Sequence, residues 1–375
     1  MNFQLLKTDA KSAARAGQIE TAHGLIETPV FMPVGTQASV KAISPHDLDE
    51  IGAQIVLANM YHLYLRPGGL IIQNAGGIQK FSAWHRPVLT DSGGFQIFSL
   101  SKFNRIYDKG IRFRSHIDGS EHFLSPEDVV RTQRRLGSDI MMVLDECVPY
   151  PCEYEEALIA HKRTIEWAQK SLLTFSRTEK DSMHNQALFA IVQGSTYKEL
   201  RQQSADSLIE LDFPGYAIGG LSVGEPKSLM YEMTALCTDL LPADKPRYLM
   251  GVGKPEDILN AIEYGVDMFD CILPTRNGRN GTVFSRYGQF NIKNAQHKED
   301  YTPLDDSCDC YTCKTFSKSY LRHLFTAKEL LVLRLLSLHN LHFYLHMVRQ
   351  ARKAILDQRY SEWKTLFLDS YHQNN

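Results

Sequence analysis

The chain has 375 residues, in which 41 lysines and arginines nearly balance 43 aspartates and glutamates, so its formal net charge is −2. This balance excludes a protein that binds polyanions through its overall charge, and any nucleic-acid surface must be local. The start of the chain lacks a signal-peptide core and no later stretch reads as a membrane span, so we expect a cytoplasmic protein without membrane contact. The length fits one large α/β barrel or two ordinary domains.

Short apolar runs recur along the chain, and helical segments separate many of them. Several of these segments begin with a helix-start signal, such as Ser44-Pro45 or Ser125-Pro126, in which proline fits the first turn. Buried strands that alternate with helices pair in parallel, so the runs predict an α/β fold, a closed (β/α)8 barrel of the TIM type, with an open doubly wound sheet as the alternative. The runs are Val30–Val34, Gln54–Ala58, Pro87–Thr90, Asp139–Leu144, Ala187–Val192, Gly215–Ile218, Arg247–Val252 and Met268–Leu273.

Polar residues or glycines stand at the ends of most of these runs. Barrel enzymes build their sites at the carboxyl ends of the strands, so polar groups at so many equivalent places predict one shared pocket. The residues at these ends are Asn59, Asp91, Asp145, Glu146, Gln193, Gly219, Gly220, Gly251, Val252, Gly253 and Asp270.

Two segments break the alternation, and we interpret them as insertions in a single catalytic domain that covers residues 1–375. The first, at about 111–124, alternates around Asp118-Gly119, which is typical of a tight hairpin. The second, at about 279–340, begins with a predicted hairpin over 282–292 and continues into a cysteine cluster and a helix. Its basic residues alternate with aromatic ones, a pattern that fits a local RNA surface as well as a solvated face.

Cys308, Cys310 and Cys313 lie within six residues of one another. Cytosolic cysteines rarely crowd in this way without a metal, and the alternative is three free thiols. A tetrahedral zinc needs one more ligand, and four protein ligands would make it structural instead of catalytic. The spacing does not select among the three histidines of the following helical stretch, which are His339, His342 and His346.

Two strand-end carboxylates are the main catalytic candidates. Asp91 precedes two glycines and an aromatic residue, an arrangement that lets a flat ligand approach backbone amides, although a capped glycine turn is the structural alternative. Asp270 lies in an apolar run, where a charge is costly unless it is used or held in a buried salt bridge. With Asp145 and Gln193, these groups suit the edge of a purine.

The sequence Gly251-Val252-Gly253-Lys254-Pro255 resembles a phosphate-binding loop only in part. Pro255 stands where that motif needs serine or threonine, and the spacing of the glycines differs, so we exclude nucleotide hydrolysis. Lys254, just before a helix start, remains a candidate for holding an RNA phosphate.

Several segments with polar strand ends occur in a fixed order over nearly the whole chain, followed by the cysteine cluster. They are VLTDSGGFQ, MMVLDEC, AIVQGS, AIGGLSVGEP, YLMGVGKPED and MFDCILPTRNGRNG. In this combination the chain resembles the bacterial tRNA-guanine transglycosylases, also called queuine tRNA-ribosyltransferases. The resemblance implies a TIM barrel with a zinc-binding insertion near the C-terminus, a homodimer, and tRNA as substrate.

The implied reaction exchanges guanine at the anticodon wobble position for preQ1 (7-aminomethyl-7-deazaguanine) during queuosine biosynthesis. It acts on tRNAs with GUN anticodons (Asp, Asn, His and Tyr) and proceeds by double displacement through a covalent enzyme-RNA intermediate. By position, Asp270 corresponds to the nucleophile and Asp91 to the proton acceptor for the incoming base. The residues implied to bind the base are Asp91, Ser92, Gly93, Gly94, Phe95, Asp145, Gln193 and Gly220.

The resemblance also assigns RNA-contacting loops and zinc ligands. The loop residues are Gly251, Val252, Gly253, Lys254, Pro255, Glu256, Asp257, Thr275, Arg276, Asn277, Gly278 and Arg279, with Arg276 and Arg279 as readers of the bases that flank the target. The implied ligands of one structural Zn²⁺ per subunit are Cys308, Cys310, Cys313 and His339.

Two positions depart from the family's usual residues, Met60 and Ser222. Cys147 and Val223 match the members that use preQ1, whereas queuine users carry a smaller residue at the second position, so we expect preQ1 or guanine as the free base. The family suggests a dimer contact near the cysteines, with ordinary packing as the alternative, at Phe316, Tyr320, His323 and Leu324.

Two other functions fit part of the sequence. A non-catalytic, zinc-stabilised RNA-binding module would not need both Asp91 and Asp270. A barrel enzyme for a small metabolite would turn over without RNA.

Overall fold

The computed structural model of the protein describes residues 1–100, 103–181 and 183–372. Most of its strands are short, and they fall into four sheets. In chain order the strands are β1 (Asn2–Thr8), β2 (Arg15–Thr21), β3 (Gly24–Thr28), β4 (Val30–Gly35), β5 (Val56–Ala58), β6 (Val88–Thr90), β7 (Asn104–Tyr107), β8 (Gly110–Arg114), β9 (Glu121–Leu124), β10 (Ile140–Met142), β11 (Ala187–Val192), β12 (Tyr216–Ile218), β13 (Arg247–Leu249), β14 (Met268–Cys271), β15 (Thr282–Ser285) and β16 (Gly288–Asn291).

Helices follow most barrel strands and also form most of the region after residue 310. Within the described residues, no helix has both the length and the hydrophobicity to cross a membrane. The helices are α1 (Pro45–Glu50), α2 (Met60–Leu65), α3 (Gly69–Asn74), α4 (Ile78–Ser82), α5 (Gly94–Leu100), α6 (Pro126–Leu136), α7 (Tyr154–Arg177), α8 (Lys198–Ile209), α9 (Lys227–Leu240), α10 (Pro255–Glu263), α11 (Leu273–Asn280), α12 (Tyr311–Thr315), α13 (Lys318–Thr326), α14 (Leu330–Leu356) and α15 (Tyr360–Tyr371).

The centre of the protein is a closed barrel of eight parallel strands, in the order β4, β5, β6, β10, β11, β12, β13, β14. The last strand closes onto the first through the pairs Met268 with Val30 and Asp270 with Met32. Each of the eight apolar runs supplies one strand. The predicted (β/α)8 fold is therefore confirmed, and the alternative of an open doubly wound sheet is wrong. The carboxyl ends of all eight strands therefore meet at one end of the barrel.

A three-stranded antiparallel sheet of β1, β2 and β3 covers the amino end of the barrel. The Arg15 side chain, on β2, donates to Asp267, just before β14, with Nε 3.0 Å from Oδ1. The His23 ring lies 2.8 Å from Asp139, just before β10. This sheet was not among the predicted elements, and the apolar residues of its first strand, Phe3, Leu5 and Leu6, are mostly exposed and do not mark a buried face.

The long helix α14 connects the barrel to the cysteine-rich region. It packs on β4 of the barrel and on α11, and it carries Asn340, whose side chain receives a hydrogen bond from Phe284 N (3.0 Å) and donates to Pro274 O (3.0 Å). Gly278 of α11 touches this helix so closely that a Cβ there would lie 2.8 Å from Ser337 N. The cysteine-rich region is thus packed against the barrel through α14.

Candidate active site

The polar strand ends converge on one pocket at the carboxyl end of the barrel, as the sequence predicted. The cavity has a volume of ≈ 350 Å³. Glu146 does not line it, since its side chain binds Arg163 instead. The lining residues include Asn59, Asp91, Ser92, Phe95, Asp145, Cys147, Gln193, Gly219, Gly220, Leu221, Ser222, Val223, Tyr248, Gly251 and Asp270.

Asp91 lies directly after β6 and is 6% exposed. Its carboxylate accepts hydrogen bonds from Met60 N at 2.9 Å and from the Asn59 side-chain amide. Burial raises the pKa of Asp91 to about 7, against the two hydrogen bonds that lower it, and the negative charges of Asp270 and Asp145 raise it further. A carboxyl group with this pKa can both give and take a proton near neutral pH.

Asp270 is less buried than Asp91 and faces the cavity from within β14. Its Oδ1 accepts hydrogen bonds from Tyr248 Oη (2.6 Å) and Gly251 N (2.8 Å). Burial raises the pKa of Asp270, and these two bonds lower it. Within the described residues no cation pairs with this carboxylate, so the buried salt bridge considered from the sequence is absent.

Asp145 and Gln193 form a hydrogen-bonded pair on the wall of the pocket. Gln193 Nε2 donates to Asp145 Oδ2 at 2.7 Å, and Ser92 Oγ donates to Oδ1 at 3.0 Å. Burial raises the pKa of Asp145, although both bonds lower it. Gln193 Oε1 is buried and has no hydrogen-bond partner among the residues that the structure describes. A buried acceptor of this kind is rare in a folded protein and marks a place where a ligand donor fits.

Arg201 of α8 shapes the glycine turn beside this pair. Its guanidinium is fully buried and donates to four backbone carbonyls, including Gly219 O (2.7 Å) and Gly220 O (3.2 Å). In a trans peptide the N–H lies opposite the C=O, so the N–H groups of Gly220 and Leu221 turn away from Arg201. A side chain at Gly220 would clash, since its Cβ would lie 2.3 Å from Gln193 Oε1.

Sequence reasoning missed Arg201 and Tyr248 as parts of this site. Arg201 belongs to a mixed polar helix, where an arginine is expected to be solvated. Tyr248 stands inside an apolar strand, where an aromatic residue is expected to be core. No local signal distinguished either residue.

Phe95 is half exposed at the rim of the pocket, in the first turn of α5. On the opposite side, the backbone N–H groups of Ser222 and Val223 both donate to the Glu225 carboxylate. Met60 is fully buried and contributes its backbone N–H to Asp91. At both departures from the family pattern, Met60 and Ser222, a backbone N–H makes a hydrogen bond to a carboxylate, and Ser222 also lines the cavity.

The segment over 251–257 is only partly open to solvent. Gly251 and Lys254 are exposed, whereas Val252, Gly253, Pro255 and Asp257 are buried, and Glu256 is partly buried. The Asp257 carboxylate binds Tyr231 Oη (2.6 Å) and Lys227 Nζ (2.9 Å), so it does not point outward.

The segment over 275–279 was expected to be a loop, and this prediction was wrong. These residues belong to helix α11 (Leu273–Asn280), which is capped at its C-terminus by Gly281, a residue with φ +88°. The loop was implied only by the family resemblance, and in the structure this stretch packs closely on α14 as a helix. Arg276 is exposed and Asn277 and Arg279 are partly buried, whereas Thr275 and Gly278 are buried.

The cysteine cluster has the dimensions of a tetrahedral metal site. His339 Nδ1 lies 3.7 Å from Cys308 Sγ, 3.6 Å from Cys310 Sγ and 3.3 Å from Cys313 Sγ. Bonds of about 2.3 Å to sulfur and about 2.0 Å to nitrogen separate tetrahedral ligands by similar distances. His339 Nε2 lies 2.7 Å from Phe284 O, which fixes the ring with Nδ1 toward the sulfurs.

His339 is therefore the histidine that completes the cluster, and these four residues could hold a metal ion. His342 Nδ1 lies 3.5 Å from Cys308 Sγ, but His342 does not join the four-residue cluster found among the described residues, and its Nε2 lies 3.0 Å from Asp309 Oδ1. His346 stacks on His342. Among the aromatic residues nearby, Phe316 and Tyr320 stack at 5.5 Å between ring centroids, and Tyr320 is largely exposed.

Comparison with known proteins gives one consistent result. A family model described as queuine tRNA-ribosyltransferase matches residues 9–373. The chain is similar to the queuine tRNA-ribosyltransferase of Caldanaerobacter subterraneus subsp. tengcongensis, at 56% identity over 374 residues, covering 100% of this chain and 98% of that protein. It is 54% identical over 371 residues to the enzyme of that name from Thermoanaerobacter sp., covering 99% of this chain and 98% of that protein. The Bacillus subtilis protein of that name is 51% identical over 374 residues, with coverage of 100% and 97%.

Proposed function

The chain belongs to the queuine tRNA-ribosyltransferase family, and from this we propose that its pocket replaces a guanine of tRNA with a free base, by double displacement at C1′ of the ribose. As a member of this family it is a pentosyltransferase. The observation that carries the mechanism is that three carboxylates, Asp91, Asp145 and Asp270, line one pocket without a cationic partner among the described residues.

In the first displacement Asp270 acts as the nucleophile. One carboxylate oxygen forms a bond to C1′, the bond from C1′ to N9 of guanine breaks, and its electron pair leaves with the base. Such displacements pass through an oxocarbenium-like state that an adjacent carboxylate traps as an ester. Tyr248 and Gly251 N both donate to Oδ1, which supports attack by Oδ2.

In the second displacement the incoming base gives its N9 proton to Asp91 and attacks C1′, and the Asp270 carboxylate leaves. Exchange of guanine for guanine is its own reverse, so the group that takes this proton must also give one to the departing guanine. The pKa of Asp91, raised to about 7, suits both steps.

The base is proposed to lie against the Asp145–Gln193 pair and the adjoining glycine turn, with Ser92, Gly93, Gly94 and Phe95 of the segment after β6 completing its site. The carboxylate accepts from the N–H groups of the purine, and the N–H of Gly220 donates to its carbonyl oxygen. Phe95, exposed at the rim, offers a surface for stacking. We propose preQ1 as the incoming base, because Cys147 and Val223, which match the members that use preQ1, line the cavity.

The guanine must leave the anticodon loop to reach this depth, which costs little in a single-stranded loop. We propose the GUN anticodon arms of the Asp, Asn, His and Tyr tRNAs as partners, in the cytoplasm, where tRNA occurs. Lys254, Arg276 and Arg279 are proposed to hold the phosphates and the flanking bases, since Lys254 and Arg276 are exposed.

We also propose one structural zinc ion per subunit on the four-residue cluster, and a homodimer that uses the Phe316 and Tyr320 face. When bound, the metal would tie the start of α12 to the middle of α14. A Cys310→Ser variant is expected to lose the zinc and to unfold at lower temperature, which metal analysis and thermal melting measure. Full zinc content in this variant would contradict the assignment.

Radiolabelled guanine incorporation into tRNA tests the proposed function. Label should enter tRNA with a guanine at the wobble position and should not enter a matched transcript with adenine there. Turnover of a small sugar substrate without RNA would favour the metabolite enzyme. Tight tRNA binding without any incorporation would favour the non-catalytic module.

A further inference from the structure

The sheet of β7, β8 and β9 has two very different faces. Its register pairs Arg105 with Arg112, and Arg112 with Phe123, so these three side chains share one face. The opposite face carries Ile106, Ile111 and Leu124 and packs inward. The outward face, which we call the arginine face, consists of Phe103, Arg105, Tyr107, Arg112, Arg114, Glu121 and Phe123.

The arginine face exposes flat rings and flat cations side by side. Phe103 is 68% exposed and Phe123 is 42% exposed, which is unusual for large apolar side chains in a sheet. The guanidinium of Arg112 lies 5.7 Å from the Tyr107 ring, and that of Arg114 lies 5.7 Å from the Phe103 ring. In proteins that bind single-stranded RNA, unpaired bases stack on aromatic rings and on arginine guanidinium groups of this kind.

The charges of this face are not arranged for stability. Arg105 and Arg112 are direct cross-strand partners, and like charges at such positions destabilise a sheet. The single carboxylate, Glu121, lies 3.8 Å from Arg112 with both side chains largely exposed, a contact that contributes little. Three arginines against one glutamate make this a positive patch on a chain whose net charge is −2, and a polyanion complements it.

The sheet that carries the arginine face packs beside elements of the pocket wall through its inward face and its β8–β9 turn. The Asn104 side chain of β7 donates to Ile97 O of α5 at 3.3 Å. Helix α5 also provides Phe95, Gln96 and Ser99 to the wall of the cavity. On the other side, His116 of the β8–β9 turn lies 2.9 Å from Tyr61 Oη of α2, the helix that begins at Met60 and so holds Asp91. A strand of RNA that leaves the pocket on this side reaches the sheet.

From these observations we propose that the arginine face is a docking surface for the substrate RNA outside the extracted nucleotide, through stacking of unpaired bases and contacts to phosphates. The proposal deepens the proposed function and rests on it. It adds a second RNA contact across the pocket from Lys254 and Arg276, which follow β13 and β14, whereas the sheet follows β6.

The test is RNA binding by the full-length Arg105→Glu/Arg112→Glu variant, with a fluorescent anticodon stem-loop as the probe. We expect at least about a tenfold higher Kd at 0.1 M salt, and a plot of log Kd against log salt that is less steep by about 1.4 for two lost phosphate contacts. The KM for guanine and the rate at saturating RNA should not change.

A matched control reverses two exposed lysines, Lys7 and Lys11, at the amino end of the barrel. This Lys7→Glu/Lys11→Glu variant should bind RNA as the unmodified protein does. A neutral Arg105→Gln/Arg112→Gln variant removes the repulsion between the two strands, so it should melt no lower than the unmodified protein while still binding RNA more weakly.

The outcomes separate this proposal from the proposed function. Unchanged RNA affinity in the charge-reversed variant would overturn the docking surface and leave base exchange intact. An altered sedimentation coefficient with unchanged RNA affinity would assign the face to a second copy of the chain and also overturn it. If the unmodified protein incorporates no guanine and the charge-reversed variant still binds RNA more weakly, the docking surface is supported and the proposed function is contradicted.

Discussion

Both ends of the barrel hold buried aspartates, but the aspartates at the two ends have different hydrogen-bond partners. At the amino end, Asp267 binds the Arg15 guanidinium and the backbone N–H of Arg247, and Asp139 binds His23. At the carboxyl end, Asp91 and Asp270 receive hydrogen bonds only from neutral groups among the described residues. The first arrangement stabilises the fold, whereas the second keeps charge available to a ligand.

Asp267 and Asp270 make this contrast sharpest, because they are three residues apart on one segment of the chain. Burial raises the pKa of both carboxyl groups. At Asp267 the Arg15 guanidinium opposes this rise, whereas at Asp270 only the neutral donors Tyr248 and Gly251 N oppose it, so ionisation of Asp270 is not compensated by a cation. The fold tolerates this cost at the end of the barrel where loops meet, as enzymes of this architecture do.

The largest effect is expected from Asp270→Ala. Incorporation of labelled guanine into tRNA should fall by about 10⁴-fold or more, because the covalent route is lost. The melting temperature should not fall, since no buried cation is left without its partner. Normal incorporation by this variant would end the assignment of the nucleophile.

Asp91→Asn should lower the exchange rate by about 10²- to 10⁴-fold. In the unmodified protein the rate should be highest near the pKa of about 7 for Asp91. Below this pH the carboxyl stays protonated and cannot accept the proton of the incoming base, and above it the carboxylate cannot donate to the departing guanine. A rate profile from pH 5 to 9 checks both limbs, and an identical profile for the variant would contradict the role.

Asp267→Ala is expected to lower stability and to leave activity intact, which is the opposite of the effect of Asp270→Ala. Removing this carboxylate leaves the Arg15 guanidinium, only 3% exposed, without its partner, and we expect a loss of about 3 to 5 kcal/mol in the free energy of unfolding. Activity per folded molecule should persist, as denaturant unfolding combined with the incorporation assay will measure. A stable but inactive variant would remove the distinction between the two ends.

Arg201→Lys should give the smallest change. A lysine keeps the positive charge but cannot bind four carbonyls, so the Gly220 and Leu221 amides lose their fixed direction. We expect the KM for guanine to rise by about tenfold, which corresponds to the net binding free energy of roughly one hydrogen bond. The KM for tRNA should stay constant. An equal rise in both constants would indicate general damage instead of positioning of the base.

The sequence predicted the barrel because eight apolar runs alternate with helix starts, and this pattern can be recognised without knowledge of the tertiary contacts. It also predicted the convergence of Asp91, Asp145, Gln193 and Asp270, since strand ends meet by topology. It could not predict the Arg15–Asp267 pair, because the partners are 252 residues apart. Nor could it predict the burial of Arg201, which depends on the packing of α8, or helix α11, which packs on α14 from a distant part of the chain.

The most direct test of the contrast between the two ends is to find the residue that carries the ribose. Protein mixed with tRNA, without added base and with a guanine deaminase to remove the released guanine, is quenched rapidly and digested, and the RNA-linked peptide is sequenced by mass spectrometry. We predict an ester on Asp270 that is absent from the Asp270→Ala variant and present in Asp267→Ala. An adduct on another residue, or guanine exchange without any adduct, would contradict the proposed role of the carboxyl-end carboxylates.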